Sequence, residues 1–257
     1  VGEGGSGKTR LALVVAQWVV ADGAPFPDGV WFVPLGAVTT TANLADQLAA
    51  AVAQAIGLSF SGQQPLFIQL LTYLHKKALL LLFDNVEHLL PEIADLLVQI
   101  LQAAPALTAL VTSRHLLGLQ AEFVWRVRGL DLPPAGELPP GALLGYSSIA
   151  LFVERARRRA QHFELTAENQ AALVAICRLV EGLPLAVELA AALTKQYTCP
   201  ALYAALQTDY TVLAITYRDL PARHRSIQAM LDYSWRFLTP VEADALAACS
   251  LFAGGFT

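Results

Sequence analysis

Eight residues near the start of the chain have the types and the spacing to bind phosphate. The segment Gly2-Glu3-Gly4-Gly5-Ser6-Gly7-Lys8-Thr9, called the glycine loop below, matches G-x-x-x-x-G-K-[ST] and leads into an apolar helical pattern. Its four glycines permit positive φ, so several N–H groups can approach one anion beside a helix N-terminus. Lys8 would contact the β- and γ-phosphates, and the Thr9 hydroxyl would bind Mg²⁺. The loop therefore predicts a site for ATP or ADP with Mg²⁺.

An acid and an amide follow the most apolar run of the sequence. Leu79 to Phe83 is typical of a parallel strand buried on both faces, and Asp84 and Asn85 come directly after it. Ligands of open α/β sheets bind beyond the carboxyl ends of the strands, so Asp84 is predicted to bind the same Mg²⁺. Alternatively, Asp84 caps a helix predicted over Leu89 to Ala103. Asn85, Glu87 or His88 could orient a water near the γ-phosphate, although the last two fit an ordinary helical first turn.

A third predicted strand is followed by a positively charged residue. Thr108 to Thr112 predicts a strand, and Ser113-Arg114 follows it. An arginine at this edge of the sheet could bind the γ-phosphate and so distinguish ATP from ADP. The alternative is a solvated surface arginine.

Composition limits the partners and the compartment. The chain has 257 residues, 55% of them hydrophobic, with a net charge of -4. This charge argues against a protein built mainly to neutralise nucleic-acid phosphates. Three cysteines are too few and too scattered for a disulfide framework or a zinc site, so a reducing, cytoplasmic setting is predicted. No apolar run approaches the roughly 20 residues needed to cross a membrane.

The first half of the chain alternates helical and strand patterns, which predicts a doubly wound parallel sheet. Only Val1 precedes the glycine loop, although such a loop normally follows a buried strand, so we expect that strand in a longer protein. The predicted elements before Leu79 are a helix over Lys8 to Ala21, a strand over Gly29 to Leu35, a helix over Asn43 to Ile56 capped by Thr41 or a neighbour, and a helix from Pro65 to about Lys77.

The second half changes character at a proline- and glycine-rich stretch and then becomes helical. Helices are predicted from Ser147 or Ser148 to Ala160 and from Thr166, and Pro184 begins another helix after Gly182. A basic cluster, Arg155 and 157 to 159, fits a solvated helix face, with an acidic or phosphate partner as the alternative.

Taken in order, these motifs resemble the NB-ARC-like core of the STAND family of signal-transduction ATPases. Within that family the chain is most similar to bacterial transcriptional regulators of the LuxR and SARP types. The cores of these regulators share the pattern Asp-Asn-x-Glu-His and a later Arg-His-Arg-Ser segment. In this chain the matching residues are Asp84-Asn85-Val86-Glu87-His88 and Arg223-His224-Arg225-Ser226.

The resemblance implies a P-loop α/β domain over 1–135 that lacks its N-terminal strand, a linker over 136–146, a helical domain over 147–209 and the start of a winged-helix domain over 210–257. It further implies that Asp84 binds Mg²⁺ with Thr9, that Arg114 senses the γ-phosphate and that Pro184 packs on adenine. The implied nucleotide contacts are Gly2, Gly4, Gly5, Ser6, Gly7, Lys8, Thr9 and Arg10, and the implied catalytic set is Lys8, Asp84, Asn85 and Arg114.

The predicted function is a nucleotide switch with slow hydrolysis. Asn85 stands where many family members have a second acid, and an amide can position water but cannot accept its proton. ADP would keep the protein closed and ATP would favour an open, self-associating form. DNA binding would need domains outside this chain, and no membrane partner is expected. A histidine that contacts ADP from the winged helix of many relatives has no convincing match.

Two other classes of protein remain open. A small-molecule or nucleotide kinase would need an acceptor pocket and an arginine-rich lid, for which the cluster at 155–159 is the candidate. An ATP-driven nucleic-acid motor or loader would show ATPase activity stimulated by DNA or RNA.

Overall fold

The computed structural model describes residues 1–23, 25–39, 43–134, 139–214, 226–235 and 238–249. The chain divides into two compact units. The first contains Val1–Glu3 and Gly7–Val127, and the second contains Gly4–Ser6 and Arg128–Thr257. The division after Val127 falls earlier than the predicted boundary at residue 135.

The first unit has a three-stranded parallel sheet in the order β1-β2-β3, in which Val30 is opposite Leu80 and Leu80 is opposite Thr108. Its elements in chain order are α1 (Lys8–Ala21), β1 (Val30–Pro34), α2 (Leu44–Ile56), α3 (Leu66–Leu74), β2 (Leu80–Asp84), a 3₁₀ turn (Glu87–Leu89), α4 (Glu92–Ala103) and β3 (Thr108–Val111). Parallel strands end at one edge, so the residues that follow β2 and β3 lie side by side.

The central strand, β2, is buried because the run of residues that forms it is apolar. All five residues of β2 are buried, which is what a parallel strand covered on both faces requires. Leu81 and Phe83 pack in one core with α2, α3 and α4, whereas Leu82 lines a cleft with Leu13 and Ala16 of α1. The core thus fixes the end of β2, where Asp84 lies.

The predicted strands and the first three helices are confirmed to within two or three residues at each end. The predicted helix over Leu89 to Ala103 is wrong at its start: α4 begins at Glu92, because Leu90 has the extended conformation that the residue before a proline favours. The N-cap of α4 is Pro91, so Asp84 does not cap this helix. Thr41 lies outside the described residues, and the assignment to P-loop NTPases stays a prediction.

An apolar cavity of about 510 Å³ lies beside β3 in the first unit. Its walls come from α1, α4, β3 and the segment up to Val127, and they include Leu11, Val15, Leu97, Leu110 and Val124. Backbone bonds surround it: Val1 N donates to Trp125 O, Val127 N donates to Val1 O, and Gly2 N donates to Ser113 O. The start of the glycine loop is thereby fastened on two sides.

The second unit is helical. Its helices are α5 (Pro140–Leu143), α6 (Ser147–Arg157), α7 (Gln170–Leu179), α8 (Pro184–Ala192), α9 (Cys199–Thr208), α10 (Ile227–Trp235) and α11 (Pro240–Cys249). One core joins α6 to α9 through buried side chains such as Phe152, Leu173, Val187 and Leu202. The predicted linker over 136–146 contains the short α5.

Two predicted helix ends in this unit are wrong. Helix α6 ends at Arg157 rather than Ala160, and α7 begins at Gln170 rather than Thr166. A hydrogen-bonded turn precedes α7: Thr166 N donates to Asn169 Oδ1, as in a capping box, and Gln170 N donates to Thr166 O at 3.0 Å, so the predicted capping at Thr166 forms one turn before the regular helix. The predicted Pro184 helix start is confirmed.

The segment predicted as the start of a winged helix contains an isolated antiparallel bridge, Ala214 to Ser226, followed by α10 and α11. Arg223 to Arg225 lie outside the described residues, and the winged-helix assignment stays a prediction.

Two glycines of the second unit pack backbone against backbone. Leu130 N donates to Gly182 O at 2.8 Å, and Gly182 has a φ of +63° after Glu181 at 51°. A Cβ on Gly182 would lie 2.4 Å from Leu130 O, and a Cβ on Gly129 would lie 2.2 Å from Glu181 O. This contact, called the Gly129–Gly182 crossing below, fixes the chain immediately before Pro184.

The three cysteines are free thiols, and burial raises the pKa of Cys177 to about 12, which suits a packing role. Among the described residues, no helix combines the length and the apolar character that crossing a bilayer requires.

Candidate functional site

The glycine loop has the backbone conformation that its pattern predicts at two of its four glycines. Gly5 and Gly7 have φ of 73° and 88°, in the left-handed region that favours glycine, whereas Gly2 and Gly4 do not. Gly7 is also the N-cap of α1. Because glycine has no side chain, the residue at this position does not cap the first N–H groups of α1. Such a turn before a helix can cradle an anion.

Lys8 folds back over the loop. Its Nζ donates to Gly2 O at 2.8 Å and to Glu3 O at 2.7 Å. Burial lowers the pKa of Lys8, and Glu87 is the strongest of the nearby charges that raise it, ahead of Asp84. A positive charge held in a partly buried loop is a suitable partner for a phosphate group.

Thr9 and Asp84 meet, although 75 positions separate them in the sequence. The Thr9 hydroxyl donates to Asp84 Oδ1 at 2.6 Å, and the Thr112 hydroxyl donates to the same oxygen at 2.6 Å. Asp84 is 7% exposed. The two predicted Mg²⁺ ligands are therefore adjacent, and both offer the oxygen atoms that Mg²⁺ prefers.

Thr112 organises the turn after β2. Besides its bond to Asp84, its hydroxyl accepts from Asn85 N at 3.0 Å. Its backbone N donates to Phe83 O, and its O accepts from Val86 N. These bonds hold Asn85 in the left-handed conformation, with φ 67°, which asparagine tolerates better than most residues.

The Asn85 side chain is directed to His88. Its Nδ2 lies 3.4 Å from His88 Nδ1, and His88 Nε2 lies 2.9 Å from Val38 O. Because a carbonyl only accepts, the contact with Val38 O requires Nε2 to be the donor. The predicted role of Asn85 in positioning water stays a prediction.

Arg114 is paired rather than solvated. Its Nε lies 3.2 Å from Glu87 Oε1, and the side chains of Arg114 and Glu87 are 13% and 2% exposed. The surface alternative for Arg114 is therefore wrong. The other carboxylate oxygen, Glu87 Oε2, is buried without a hydrogen-bond partner among the described residues.

Other predicted contacts are placed as follows. Ser6 is buried and Arg10 is exposed on the first turn of α1. Pro184 is half-buried at the start of α8, and the next residue, Leu185, donates its N–H to Gly5 O at 3.2 Å within the second unit. The contact of Pro184 with adenine stays a prediction.

The basic cluster of α6 is a solvated helix face. Arg155 pairs with Glu154 and Glu188, Arg158 pairs with Glu154, and residues 157–159 are exposed. Such surface pairs contribute little to stability. These pairs give no support to the alternative in which the cluster at 155–159 is the arginine-rich lid of a kinase.

The structure places Thr9 beside Asp84, as the sequence predicts, and adds two partners that the sequence does not indicate, Thr112 for Asp84 and Glu87 for Arg114. Thr112 could be found from the strand register, because Phe83 lies opposite Val111 and the next residues are therefore neighbours. For Glu87 the sequence leaves two roles open, orienting a water or lying in an ordinary helical first turn. It does not indicate the partner, Arg114, which is distant in the sequence.

The chain is similar to mycobacterial proteins along almost its whole length. It is 32% identical over 255 residues, 99% of the chain, to a Mycobacterium tuberculosis protein named "Putative HTH-type transcriptional regulator", of which the match spans 26%. A Mycobacterium bovis protein of the same name matches equally. An "Uncharacterized protein" of Mycobacterium tuberculosis is 31% identical over 255 residues, 60% of its length. No family model matches the chain. The chain thus spans about a quarter of the regulators that it matches.

Proposed function

We propose that the chain binds ATP and ADP with Mg²⁺ at the glycine loop and acts as a nucleotide-controlled switch within a transcriptional regulator. The observation that carries this proposal is the 2.6 Å hydrogen bond between Thr9 Oγ1 and Asp84 Oδ1. Two different sequence patterns predict these residues as ligands of one ion. Their contact supports a common site.

The surrounding residues fit a magnesium nucleotide. The left-handed Gly5 and Gly7 keep side chains away from the loop N–H groups, and Lys8 supplies a positive charge. The phosphates would contact Gly2 and Gly4 to Thr9. Bound Mg²⁺ would offset part of the phosphate charge.

Hydrolysis is expected to be slow. Asn85 follows the proposed metal ligand Asp84, and its amide can donate and accept hydrogen bonds but cannot take a proton from water. The protein is then at most a slow ATPase, and binding, rather than turnover, would carry the signal.

The regulatory part of the proposal is supported by the relatives named as HTH-type transcriptional regulators, which match over 99% of the chain. ADP would favour a closed form, and ATP would favour an open form that self-associates. A ligand shifts such an equilibrium only by its different affinity for the two forms, commonly about 1–3 kcal/mol. DNA binding and a cytoplasmic location remain part of the proposal.

Nucleotide should stabilise the protein. At a hundredfold excess over Kd, ATP or ADP with Mg²⁺ is expected to raise the free energy of unfolding by about 2.7 kcal/mol. Thermal melts with and without nucleotide measure this effect, and EDTA should reduce it. If neither nucleotide changes the melting temperature at millimolar concentration, the proposed function is wrong.

Arg114→Ala tests the sensor role. Because ADP lacks the γ-phosphate, the substitution is expected to weaken ATP binding by roughly tenfold, the effect of one charge-assisted hydrogen bond, and to change ADP binding little. Calorimetric titration of both nucleotides measures the ratio. An equal loss for ATP and ADP would show that Arg114 serves only the structure.

A further inference from the structure

Glu87 is a buried acid held by an arginine that is expected to bind phosphate. It begins the 3₁₀ turn after β2, and its side chain is 2% exposed. A carboxylate in such a place is destabilising unless an opposite charge accompanies it. Arg114 Nε, 3.2 Å from Oε1, supplies that charge. The pair is therefore a fixed part of this region and not a surface contact.

The pair is incomplete on the side of the acid. Glu87 Oε2 is buried and has no hydrogen-bond partner among the described residues. Arginine and carboxylate pair most strongly when both carboxylate oxygens accept a hydrogen bond, and Oε2 accepts none from the described residues. An unsatisfied buried acceptor is also unfavourable. Glu87 thus holds Arg114 less firmly than a carboxylate with both oxygens hydrogen-bonded would. An anion with more oxygens, such as a phosphate, could therefore take the place of Glu87 at Arg114.

The carboxylate also acts on the glycine loop. Among the charges that raise the pKa of Lys8, Glu87 comes first and Asp84 second. Glu87 and Arg114 are therefore within electrostatic reach of the lysine that is expected to contact the β- and γ-phosphates.

We propose that Glu87 is a positioning residue that sets the preference between ATP and ADP by holding Arg114 when no γ-phosphate is present. This inference rests on the proposed function. ATP has to take Arg114 away from Glu87, whereas ADP leaves the pair intact. Glu87 therefore lowers the affinity for ATP and leaves the affinity for ADP nearly unchanged, which keeps the switch in its ADP form.

Glu87→Gln tests the proposal directly. Glutamine keeps the shape and the Oε1 acceptor but removes the charge, so Arg114 is released more easily. The Kd of ATP with Mg²⁺ is expected to fall roughly 5- to 20-fold, within the usual range of coupling between sites, and that of ADP by less than about twofold. Calorimetric titration measures both constants, and Glu92→Gln, at an exposed glutamate on α4, is the matched control.

The outcomes separate the two proposals. If wild-type protein binds neither nucleotide, the proposed function fails and the Glu87 proposal fails with it. If wild type binds both and Glu87→Gln weakens ATP more than ADP, Glu87 supports Arg114 in its phosphate-binding position and this inference is overturned. Equal changes for both nucleotides overturn it as well.

A double variant, Glu87→Gln with Arg114→Gln, distinguishes the proposed effect from simple misfolding. Glu87→Gln alone leaves the Arg114 charge partly buried, so it should lower the melting temperature without nucleotide, and Arg114→Gln alone should do the same. The double variant should melt above either single variant. Because Glu87 acts through Arg114, the double variant should show the same ATP-to-ADP ratio of affinities as Arg114→Gln. A further shift in that ratio would contradict the proposed route.

Discussion

Replacing Lys8 by alanine is expected to weaken the binding of ATP and of ADP by roughly 10- to 150-fold. This range corresponds to the loss of one hydrogen bond between an ammonium group and a phosphate, about 1.5–3 kcal/mol. Lys8 already lies over the glycine loop, with its Nζ on Gly2 O and Glu3 O, so a phosphate would replace contacts that exist. Both nucleotides should be affected, because both carry the β-phosphate that Lys8 is expected to contact.

The stability of the nucleotide-free protein should change far less. Burial lowers the pKa of Lys8, which shows that the folded protein disfavours the charge, so alanine is expected to alter the free energy of unfolding by no more than about 1 kcal/mol. Lys76→Ala, at an exposed lysine of the same unit, is the control and should leave nucleotide binding unchanged. Binding that survives Lys8→Ala with less than a twofold loss would show that the nucleotide does not use the glycine loop.

Gly182→Ala is expected to lower the free energy of unfolding by about 3 kcal/mol. Two effects add. The left-handed φ of +63° costs a residue with a Cβ about 1–2 kcal/mol, and the new Cβ would lie 2.4 Å from Leu130 O. The nearest atom is backbone, so the chain must shift, and such overpacking typically costs about 1–3 kcal/mol. The 2.8 Å bond from Leu130 N to Gly182 O would be disturbed as well.

Two further alanine variants separate these effects in urea unfolding. Gly57 has a φ of +73°, and a Cβ added there would meet nothing within 4 Å, so Gly57→Ala should show the backbone cost alone, about 1–2 kcal/mol. Gly141 lies in α5 with open space and no positive φ, so Gly141→Ala should be neutral or slightly stabilising. If Gly182→Ala costs no more than Gly57→Ala, the Gly129–Gly182 crossing does not constrain the chain before Pro184.

Much of the site follows from local patterns. The glycine loop and the acid after an apolar strand are short-range signals, and the topology of a parallel sheet brings them to one edge. Thr9 and Asp84 could therefore be paired from the sequence. The start of α4 could have been placed as well, because Pro91 marks it.

The remaining features depend on contacts between distant residues. Nothing near Glu87 in the sequence indicates that Arg114 is its partner, since that pairing arises from the register of β2 and β3. The Gly129–Gly182 crossing is similar: Gly182 suggests a turn, but the approach of Leu130 depends on how two separate segments pack. Nothing in the residues around Thr112 indicates its contacts with Asp84 and Asn85, which follow only once the register of β2 and β3 is known.

The segment that follows β3 has a practical consequence for measurements of self-association. Phe123 and Trp125 are 91% and 69% exposed, and both line the apolar cavity beside β3. Exposed apolar side chains that lie together favour contact between molecules, and such association grows with protein concentration. Assembly measured by light scattering therefore needs a concentration series without nucleotide, so that this association sets the background from which an ATP-dependent oligomer is distinguished.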